Sequence, residues 1–353
     1  MNTKTNSKGK SNTKVPKTGQ AHKKDKTESK MPSLPAAKAV SKSAEHSKFT
    51  RIGVIGLGIM GSAMANNLIK AGFDVCGFDP SEQALKAFKK VGGHTRADTQ
   101  SVAKDAHVLI TSLPNAAALT ATAHALAVKS NKGLIVIETS TLDVEDKRKA
   151  RDIMQGAGVI LLDCPLSGTG AQAVRKDLTV YASGPSKIVD SLSTVFEGFS
   201  KAHFNLGEFG NGMNMKLMAN LLVAIHNVST AEALLLGERF GIPVSTSVKV
   251  LSDGAGGSRM LQIRGPLMEK EGWAKEITMK VEVWQKDMKL IAEALNRERV
   301  AAPIFNATIA VYNGAMGMGH EKNDTAAVFD VLQKMSSQGT HKSKSTKAVK
   351  KKK

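Results

Sequence analysis

The sequence predicts an α/β protein, in which an N-terminal doubly wound parallel sheet is followed by an all-helical C-terminal part. Two observations support this prediction. Between residues 51 and 164, short apolar runs alternate with segments of helical periodicity, and such βαβα order is typical of a parallel sheet covered by helices on both faces. After Gly212 the strand-like runs stop. The 353 residues are enough for two domains, each with its own core.

The predicted elements follow this order along the chain. The strands of the main sheet are Arg51–Gly56, Asp74–Asp79, His107–Leu113, Leu134–Thr139 and Val159–Cys164. The first two helices are Met60–Ala71 and Ser81–Val91, and two extra strands at Leu178–Ser183 and Ala202–Leu206 flank a helix at Ser186–Gly198. The C-terminal helices are Asn214–Phe240, which Gly241 and Pro243 end, Thr278–Asn296 and Ile304–Ala315.

Most of the net charge of +19 lies at the two ends of the chain. Residues 1–50 contain twelve lysines and three acidic residues, and residues 336–353 contain seven lysines and no acidic residue. The central part is therefore almost neutral. Both ends also contain almost no large apolar residues, so we expect residues 1–47 and 337–353 to be disordered tails. We expect the folded chain to divide into 48–211, which contains the parallel sheet, and 212–336, which is helical.

The tails allow several interpretations. A solubilising role is one, and weak binding of polyanions without sequence specificity is another. The N-terminal segment has neither the apolar core of a signal peptide nor the arginines of a mitochondrial presequence, since the first arginine is Arg51. The sequence contains no window of 18 uninterrupted apolar residues, so we predict no membrane span. Together with two isolated cysteines in apolar runs, Cys76 and Cys164, this favours a reduced, cytoplasmic protein. No cluster of histidine and cysteine has metal-ligand spacing.

A glycine-rich loop at the first strand is the strongest functional signal. It is the run Gly56, Leu57, Gly58, Ile59, Met60 and Gly61. The three glycines form G-x-G-x-x-G between a predicted strand and a predicted helix. In that context they permit a tight turn, close approach of a pyrophosphate and close helix–strand packing. The free N–H groups at the start of the helix favour phosphate. The loop therefore predicts a Rossmann-type site for a nicotinamide dinucleotide.

Other candidate cofactor residues lie at the carboxyl ends of later strands. Asp79 closes the second strand 21 residues after Gly58, a spacing that suits a carboxylate bonding ribose hydroxyls. A 2′-phosphate would lie beside this negative charge, so we expect NAD rather than NADP. Leu113 and Pro114 end one strand, and residues 139–141 (Thr-Ser-Thr) end the next. Thr141 is either a cofactor or substrate contact or a helix cap before Asp143.

Four motifs occur in order along the chain. They are GLGIMG at 56–61 followed by MANNL at 64–68, DCPLSGT at 163–169, G-x-G-x-x-x-K-x-x-x-N from Gly210 to Asn220, and Lys286-Asp287. Together they give the chain a resemblance to the β-hydroxyacid dehydrogenase family, the 3-hydroxyisobutyrate dehydrogenase group. The resemblance covers about residues 50–335. Thr169 departs from the family's S-G-G, and residues 174–176 (Val-Arg-Lys) replace residues that are usually small. These departures affect the identity of the substrate.

The resemblance implies roles for particular residues. Lys216 is the implied general acid/base, and Asn220, four residues further along the same helix, is implied to hold the substrate. Ser167, Gly168 and Thr169 are implied to bind its carboxylate, and Lys286 to lie near the cofactor. We expect Asp287 to orient Lys286 or the backbone. The resemblance also implies that 48–211 is the NAD-binding Rossmann domain and that 212–336 is a domain for substrate binding and dimerisation, like the C-terminal domain of 6-phosphogluconate dehydrogenase. It further implies assembly into homodimers or homotetramers.

The implied reaction is NAD-dependent interconversion of a short 3-hydroxy acid and its semialdehyde or keto acid. Tartronate semialdehyde or succinic semialdehyde reduction with NADPH is an alternative. Imine reductases usually lack the lysine, and sugar-phosphate relatives have a longer helical domain. A non-catalytic, nucleic-acid-associated protein would explain the basic tails but not the presence of Lys216. His226 is expected to be a packing residue, and Arg259 or Arg264 is either a surface residue or a partner of the substrate carboxylate.

Overall fold

A six-stranded parallel sheet forms the centre of the N-terminal region in the computed structural model, which describes residues 48–336. Its strands are β1 Arg51–Ile55, β2 Asp74–Phe78, β3 His94–Thr95, β4 Val108–Thr111, β5 Ile135–Glu138 and β6 Ile160–Asp163. The strand order is β3-β2-β1-β4-β5-β6. The order reverses between β1 and β4, and ligands of such sheets bind beyond the carboxyl ends of the strands at that point.

Helices cover both faces of this sheet. They are α1 Ile59–Lys70, α2 Glu82–Lys90, α3 Thr99–Asp105, α4 Ala116–Leu126 and α5 Val144–Gln155. Alternate strand residues point to opposite faces. Ile52 and Val54 therefore pack with Leu68 on one face, whereas Leu109 and Leu161 belong to the core on the other. Burial on both faces explains why the central strands are continuous apolar runs. The prediction of a doubly wound parallel sheet is confirmed.

A smaller, three-stranded sheet follows the main one. It contains β7 Leu166–Ser167, β8 Thr179–Ala182 and β9 Ala202–Asn205, with α6 Gly170–Val174, α7 Ser186–Ser191 and α8 Ser193–Phe199 between the strands. The two predicted extra strands thus pair with each other, and β8 also pairs with β7. The prediction of one helix over 186–198 is wrong: Leu192 interrupts it, closing α7 and opening α8.

The C-terminal region is helical, as predicted. Its helices are α9 Asn211–Arg239, α10 Val244–Asp253, α11 Arg259–Arg264, α12 Gly272–Lys275, α13 Val281–Arg297, α14 Pro303–Gly317 and α15 Val328–Met335. By length and composition α9 is apolar enough to cross a membrane. Twelve of its residues, Ala224, Ala231 and Leu234 among them, are nevertheless buried in the fold. It is the helix around which the other helices pack.

Candidate active site

The three glycines of the loop after β1 each meet a geometric demand. Gly56 has φ +89°, and a Cβ there would lie 2.2 Å from the carbonyl oxygen of Ser112. A Cβ on Gly61 would lie 1.9 Å from the carbonyl oxygen of Gly56, so the helix can approach the strand only because this side chain is missing. Gly58 faces open space, because a Cβ added there would have no atom within 4 Å. Its backbone is therefore open to a ligand.

Helix α1 presents unpaired N–H groups to that open space. Its N-cap is Gly58, which has no side chain to cap the helix, and no acidic residue lies in its first turn. The four N–H groups at the start of an α-helix have no partner within the helix and carry a partial positive charge. This arrangement fits the pyrophosphate of a dinucleotide. The loop and the helix therefore fit the pyrophosphate group of such a cofactor.

Asp79 holds the glycine loop in place. Its Oδ2 accepts the N–H of Leu57 at 2.7 Å, and its Oδ1 accepts the N–H of Ser81 at 2.8 Å. Each carboxylate oxygen can accept more than one hydrogen bond, so Asp79 still has lone pairs for ribose hydroxyls. Asp79 therefore also fixes the conformation of the glycine loop. Its spacing in the sequence did not predict this role.

A cleft of about 700 Å³ opens beside the loop and contains most of the predicted cofactor residues. Its walls include Gly56, Gly58, Ile59, Met60, Asp79, Leu113 and Pro114. Leu57 and Gly61 are buried beneath it. The N–H of Leu113 is held by Ser140 Oγ at 2.8 Å. Ser140 therefore shapes the wall of the cleft.

Thr141 and Lys286 come together from opposite regions of the chain. Lys286 Nζ, on α13, donates to the carbonyl oxygen of Thr141 at 2.9 Å. The alternative in which the threonines cap the following helix is wrong, because Asp143 caps α5 by accepting the N–H of Glu145. The contact places Lys286 at the carboxyl edge of the main sheet, next to the end of β5.

Lys216 is a buried lysine near the beginning of α9, 9% exposed. In the part of the chain that the structure describes, its Nζ makes no hydrogen bond and no ion pair within 4 Å. Burial lowers the pKa of Lys216; the Asp287 carboxylate opposes this effect, and the nearby Lys286 charge adds to it. A lysine of lowered pKa exchanges protons more readily near neutral pH than an ordinary lysine does.

Asn220 and Asp287 form a buried pair beside Lys216. Asn220 Nδ2 donates to Asp287 Oδ2 at 3.0 Å. Burial raises the pKa of Asp287, while the Lys216 and Lys286 charges act to lower it. Asp287 therefore orients the amide of Asn220, rather than Lys286 or the backbone as the sequence suggested. Asn220 uses its amide nitrogen for this hydrogen bond, so its carbonyl oxygen is not bonded to Asp287.

The beginning of α9 is capped by side chains that are distant in sequence. Its N-cap Gly210, at φ +101°, offers no side chain. Ser183 Oγ accepts the N–H of Gly210 at 3.3 Å and of Gly212 at 2.9 Å. Asp163 Oδ2 accepts the N–H of Met213 at 2.8 Å. These hydrogen bonds hold the helix that carries Lys216 against the ends of β6 and β8. The sequence around the start of the helix does not show which residues cap it.

The predicted substrate-binding residues lie after β6: Ser167 ends the short strand β7, and Gly168 and Thr169 follow it. Gly168 has φ +136°. Thr169 is the N-cap of α6 and forms a capping box, in which its N–H donates to Gln172 Oε1 at 3.0 Å. In this structure the Thr169 N–H is therefore engaged, whereas Ser167 and Gly168 make no such bond. The spacing Thr-x-x-Gln is a sequence signal for this box.

Gln172 extends this contact to a group of charges. Its Nε2 donates to Asp177 Oδ2 at 3.2 Å, and Asp177 pairs with Lys201 at 3.3 Å and with Arg259 at 3.6 Å. The Gln172 hydrogen bond is the main cause that lowers the pKa of Asp177; burial opposes it, and Lys201 assists. Lys176, in the segment that departs from the family pattern, has φ +61°, a backbone region that favours glycine.

The three remaining candidates, Arg264, Arg259 and His226, have different surroundings. Arg264 is buried in the helical core and lies 3.3 Å from the buried Asp324. It is therefore neither a surface residue nor available to a substrate. Arg259 is an exposed residue whose partner is Asp177. His226 is half-buried on α9. Among residues 48–336, no three His, Cys, Asp or Glu side chains are grouped as for a metal ion.

Two family models match the chain over these sites. The NAD binding domain of 6-phosphogluconate dehydrogenase matches residues 51–234. The model described as NAD-binding of NADP-dependent 3-hydroxyisobutyrate dehydrogenase matches residues 210–332. The chain belongs to the β-hydroxyacid dehydrogenase family. Its members are NAD(P)-dependent enzymes that act on CH–OH groups, so the resemblance drawn from the four motifs is confirmed.

Individual proteins agree with this assignment. The chain is 29% identical over 287 residues to glyoxylate/succinic semialdehyde reductase 2 of Arabidopsis thaliana, covering 80% of this chain and 79% of that one. It is 28% identical to L-threonate dehydrogenase of Haemophilus influenzae, with 81% and 96% covered. The crystal structure of 3-hydroxyisobutyrate dehydrogenase from Salmonella typhimurium is similar at a TM-score of 0.69 and 26% identity, with 80% and 99% covered. This β-hydroxyacid dehydrogenase is therefore a hydroxyacid oxidoreductase.

Proposed function

We propose that this enzyme interconverts a short 3-hydroxy acid and the corresponding semialdehyde or keto acid, with NAD as cofactor and Lys216 as the general acid/base. The observation that carries the proposal is the buried group of Lys216, Asn220 and Asp287, which belongs to the same compact unit as the dinucleotide cleft. A bound nicotinamide supplies the acceptor for hydride in oxidation and its donor in reduction.

Lys216 would move the proton. In oxidation, neutral Lys216 accepts the proton of the substrate hydroxyl, and in reduction protonated Lys216 returns it to the carbonyl oxygen. The lowered pKa of Lys216 favours the neutral form that oxidation requires. With no competing hydrogen bond among the described residues, its Nζ is available to the substrate oxygen. A general acid/base contributes about 10²–10⁴-fold to the rate.

The neighbouring residues would hold the substrate. Asp287 fixes the amide of Asn220, and the Asn220 carbonyl oxygen can then accept a hydrogen bond from the substrate hydroxyl. Ser167 and Gly168 offer a hydroxyl and a backbone N–H to the substrate carboxylate. Thr169 can add its N–H only if Gln172 gives up the capping bond. We therefore assign the carboxylate mainly to Ser167 and Gly168.

The preference for NAD rests on Asp79. Its carboxylate faces the cleft, with oxygens held by Leu57 and Ser81 N–H groups, and these bonds keep the charge in place. Ribose hydroxyls can donate to this carboxylate, whereas a 2′-phosphate would be repelled by it. NADP would be the cofactor if a neighbouring cation compensated this charge. The similarity to a succinic semialdehyde reductase keeps reduction as the alternative direction.

A screen of short hydroxy acids tests the proposal. Full-length enzyme is assayed for oxidation of 3-hydroxyisobutyrate, L-threonate, L-serine and glycerate, and for reduction of glyoxylate and succinic semialdehyde, each with both cofactors. We expect turnover of at least one 3-hydroxy acid with higher kcat/KM for NAD than for NADP. Turnover of glyoxylate alone, whose reduced product is a 2-hydroxy acid, or salt-dependent nucleic-acid binding without any turnover, would contradict it.

We also propose a cytoplasmic homo-oligomer. Large apolar side chains are exposed on the helical region, among them Met218, Leu222, Phe240 and Ile304, each at least half exposed. Such surfaces are typical of subunit interfaces. The burial of Cys76 and Cys164, both as free thiols, fits a reducing compartment. The proposed boundary between the two domains remains near Gly210, where α9 begins.

A further inference from the structure

A buried group of charges lies where β5 and β6 end, at the carboxyl edge of the main sheet. Lys147, on α5, is completely buried. Its Nζ donates to Asp163 Oδ1 at 2.7 Å and lies 2.7 Å from Glu138 Oε2, and both carboxylates are also completely buried. Burial acts to lower the pKa of Lys147, but Asp163 and Glu138 outweigh it and hold the pKa above its ordinary value. The proposed reaction uses none of these groups.

One carboxylate of this group holds the helix of the general acid/base. Asp163 uses Oδ1 for Lys147 and Oδ2 for the N–H of Met213, in the first turn of α9. Ser183 Oγ donates to Asp163 Oδ2 at 3.2 Å while it accepts the N–H groups of Gly210 and Gly212. Lys216 lies three residues beyond Met213. The position of its Nζ thus depends on where Asp163 holds the helix.

The other carboxylate holds the wall of the cofactor cleft. Glu138 uses Oε2 for Lys147 and Oε1 for the N–H of Ser140, at 2.9 Å. Ser140 Oγ in turn accepts the N–H of Leu113 at 2.8 Å, and Leu113 lines the cleft. One ammonium group therefore joins two chains of hydrogen bonds, of which one ends at the catalytic helix and the other at the cofactor cleft.

We propose that Lys147 is a positioning residue that sets the general acid/base helix against the cofactor cleft through separate arms, Asp163–Ser183 toward Lys216 and Glu138–Ser140 toward Leu113. Two ionised carboxylates and one ammonium leave one negative charge, and the N-terminus of the 29-residue helix α9 is suited to stabilise it. Because misplacement of a catalytic group by about 1 Å can cost about 10²-fold in rate, small shifts of this group affect turnover.

The two arms make different predictions for two isosteric variants. Asp163→Asn weakens the cap of α9, so kcat falls about 10- to 100-fold while the dissociation constant for NADH, measured by fluorescence, changes less than about 2-fold. Glu138→Gln loosens the wall at Leu113, so that constant rises while kcat at saturating cofactor stays within about 3-fold of wild type. Ser183→Ala removes another cap of the same helix and should also lower kcat. It replaces Asp163→Asn in the test if that variant does not fold.

A matched control separates positioning from loss of stability. Met154→Ala truncates a buried residue on the same helix α5, which packs in the core of the main sheet. It should lower the melting temperature without changing kcat or NADH binding. If all these variants lose kcat and NADH binding together, in proportion to stability, Lys147 and its partners are only structural and the proposal is overturned.

This inference rests on the proposed function only for the kcat measurement. Hydrogen exchange and NADH binding need no substrate. Asp163→Asn and Ser183→Ala should speed amide exchange at residues 211–216 but not at Ser112 and Leu113, and Glu138→Gln should do the reverse. Unchanged exchange in both segments would overturn the inference even in an active enzyme. If the expected exchange pattern is found but the enzyme turns over no hydroxy acid, the inference about Lys147 holds and the proposed function is overturned.

Discussion

Replacing Lys147 by methionine should leave two completely buried carboxylates without their shared cation. Breaking a buried ion pair by removing one partner costs about 3–5 kcal/mol, because the remaining charge is uncompensated. For about 290 folded residues the unfolding entropy is about 0.6 kcal/mol per kelvin, so the melting temperature should fall by about 5–8 °C. Differential scanning calorimetry at pH 7 measures this fall.

The pH dependence and a control make this prediction specific. Since the pKa of Lys147 is raised in the folded state, its contribution is complete below the unfolded pKa and is lost as the pH rises through the folded pKa. Wild-type stability should therefore decline in strongly alkaline solution, and the variant should lack that part of the decline. Adding Glu138→Gln and Asp163→Asn should restore stability. Lys149→Met, on an exposed lysine of α5, should be neutral.

Two outcomes would refute this reasoning. One is a Lys147→Met variant that melts within about 1 °C of wild type, since about 0.6 kcal/mol is far below the cost of a lost buried ion pair. The other is a neutral triple variant that is no more stable than Lys147→Met alone. Either result would mean that folding stability does not depend on the contact of Lys147 with these two carboxylates.

Three more predictions concern the cofactor, the assembly and the tails. Asp79→Ser should narrow the ratio of kcat/KM for NAD over NADP, and it should also lower stability because the Leu57 and Ser81 N–H groups lose their acceptor; a wild-type preference for NADP would contradict the role given to Asp79. Light scattering at micromolar concentration should show a dimer or tetramer, and a monomer would contradict the role of the exposed helical apolar residues. A chain trimmed to residues 48–336 loses eighteen lysines. It should keep kcat and KM but elute earlier from heparin than the full chain; unchanged retention would place the polyanion affinity in the central part.

The sequence predicted most of what local patterns determine. The continuous apolar strands and the glycine loop indicated the parallel sheet and the cofactor cleft, because each follows from side-chain burial or backbone geometry within a short segment. The long helix was predicted from 214 and begins at 211. Its start was missed because Gly210 gives no capping signal and the caps, Asp163 and Ser183, lie on other elements.

Contacts between distant segments could not be predicted in this way. Nothing in the sequence near Lys147 distinguishes it from the exposed Lys149 two residues later, yet one is completely buried and the other is largely exposed. The partner of Asp287 was also not predicted, since Asn220 reaches it only when α9 and α13 pack together. In contrast, the Thr169–Gln172 capping box was readable from its spacing.

The kcat of a Lys216→Ala variant tests the central claim most directly. Steady-state kinetics on the best substrate from the screen, with NADH binding measured in parallel, should show kcat reduced by about 10²–10⁴-fold and cofactor binding unchanged. Lys289→Ala, on an exposed lysine of α13, should behave as wild type. In wild type, the oxidation rate should rise with pH through a pKa below that of an ordinary lysine. A Lys216→Ala enzyme with near-normal kcat would remove Lys216 from the mechanism.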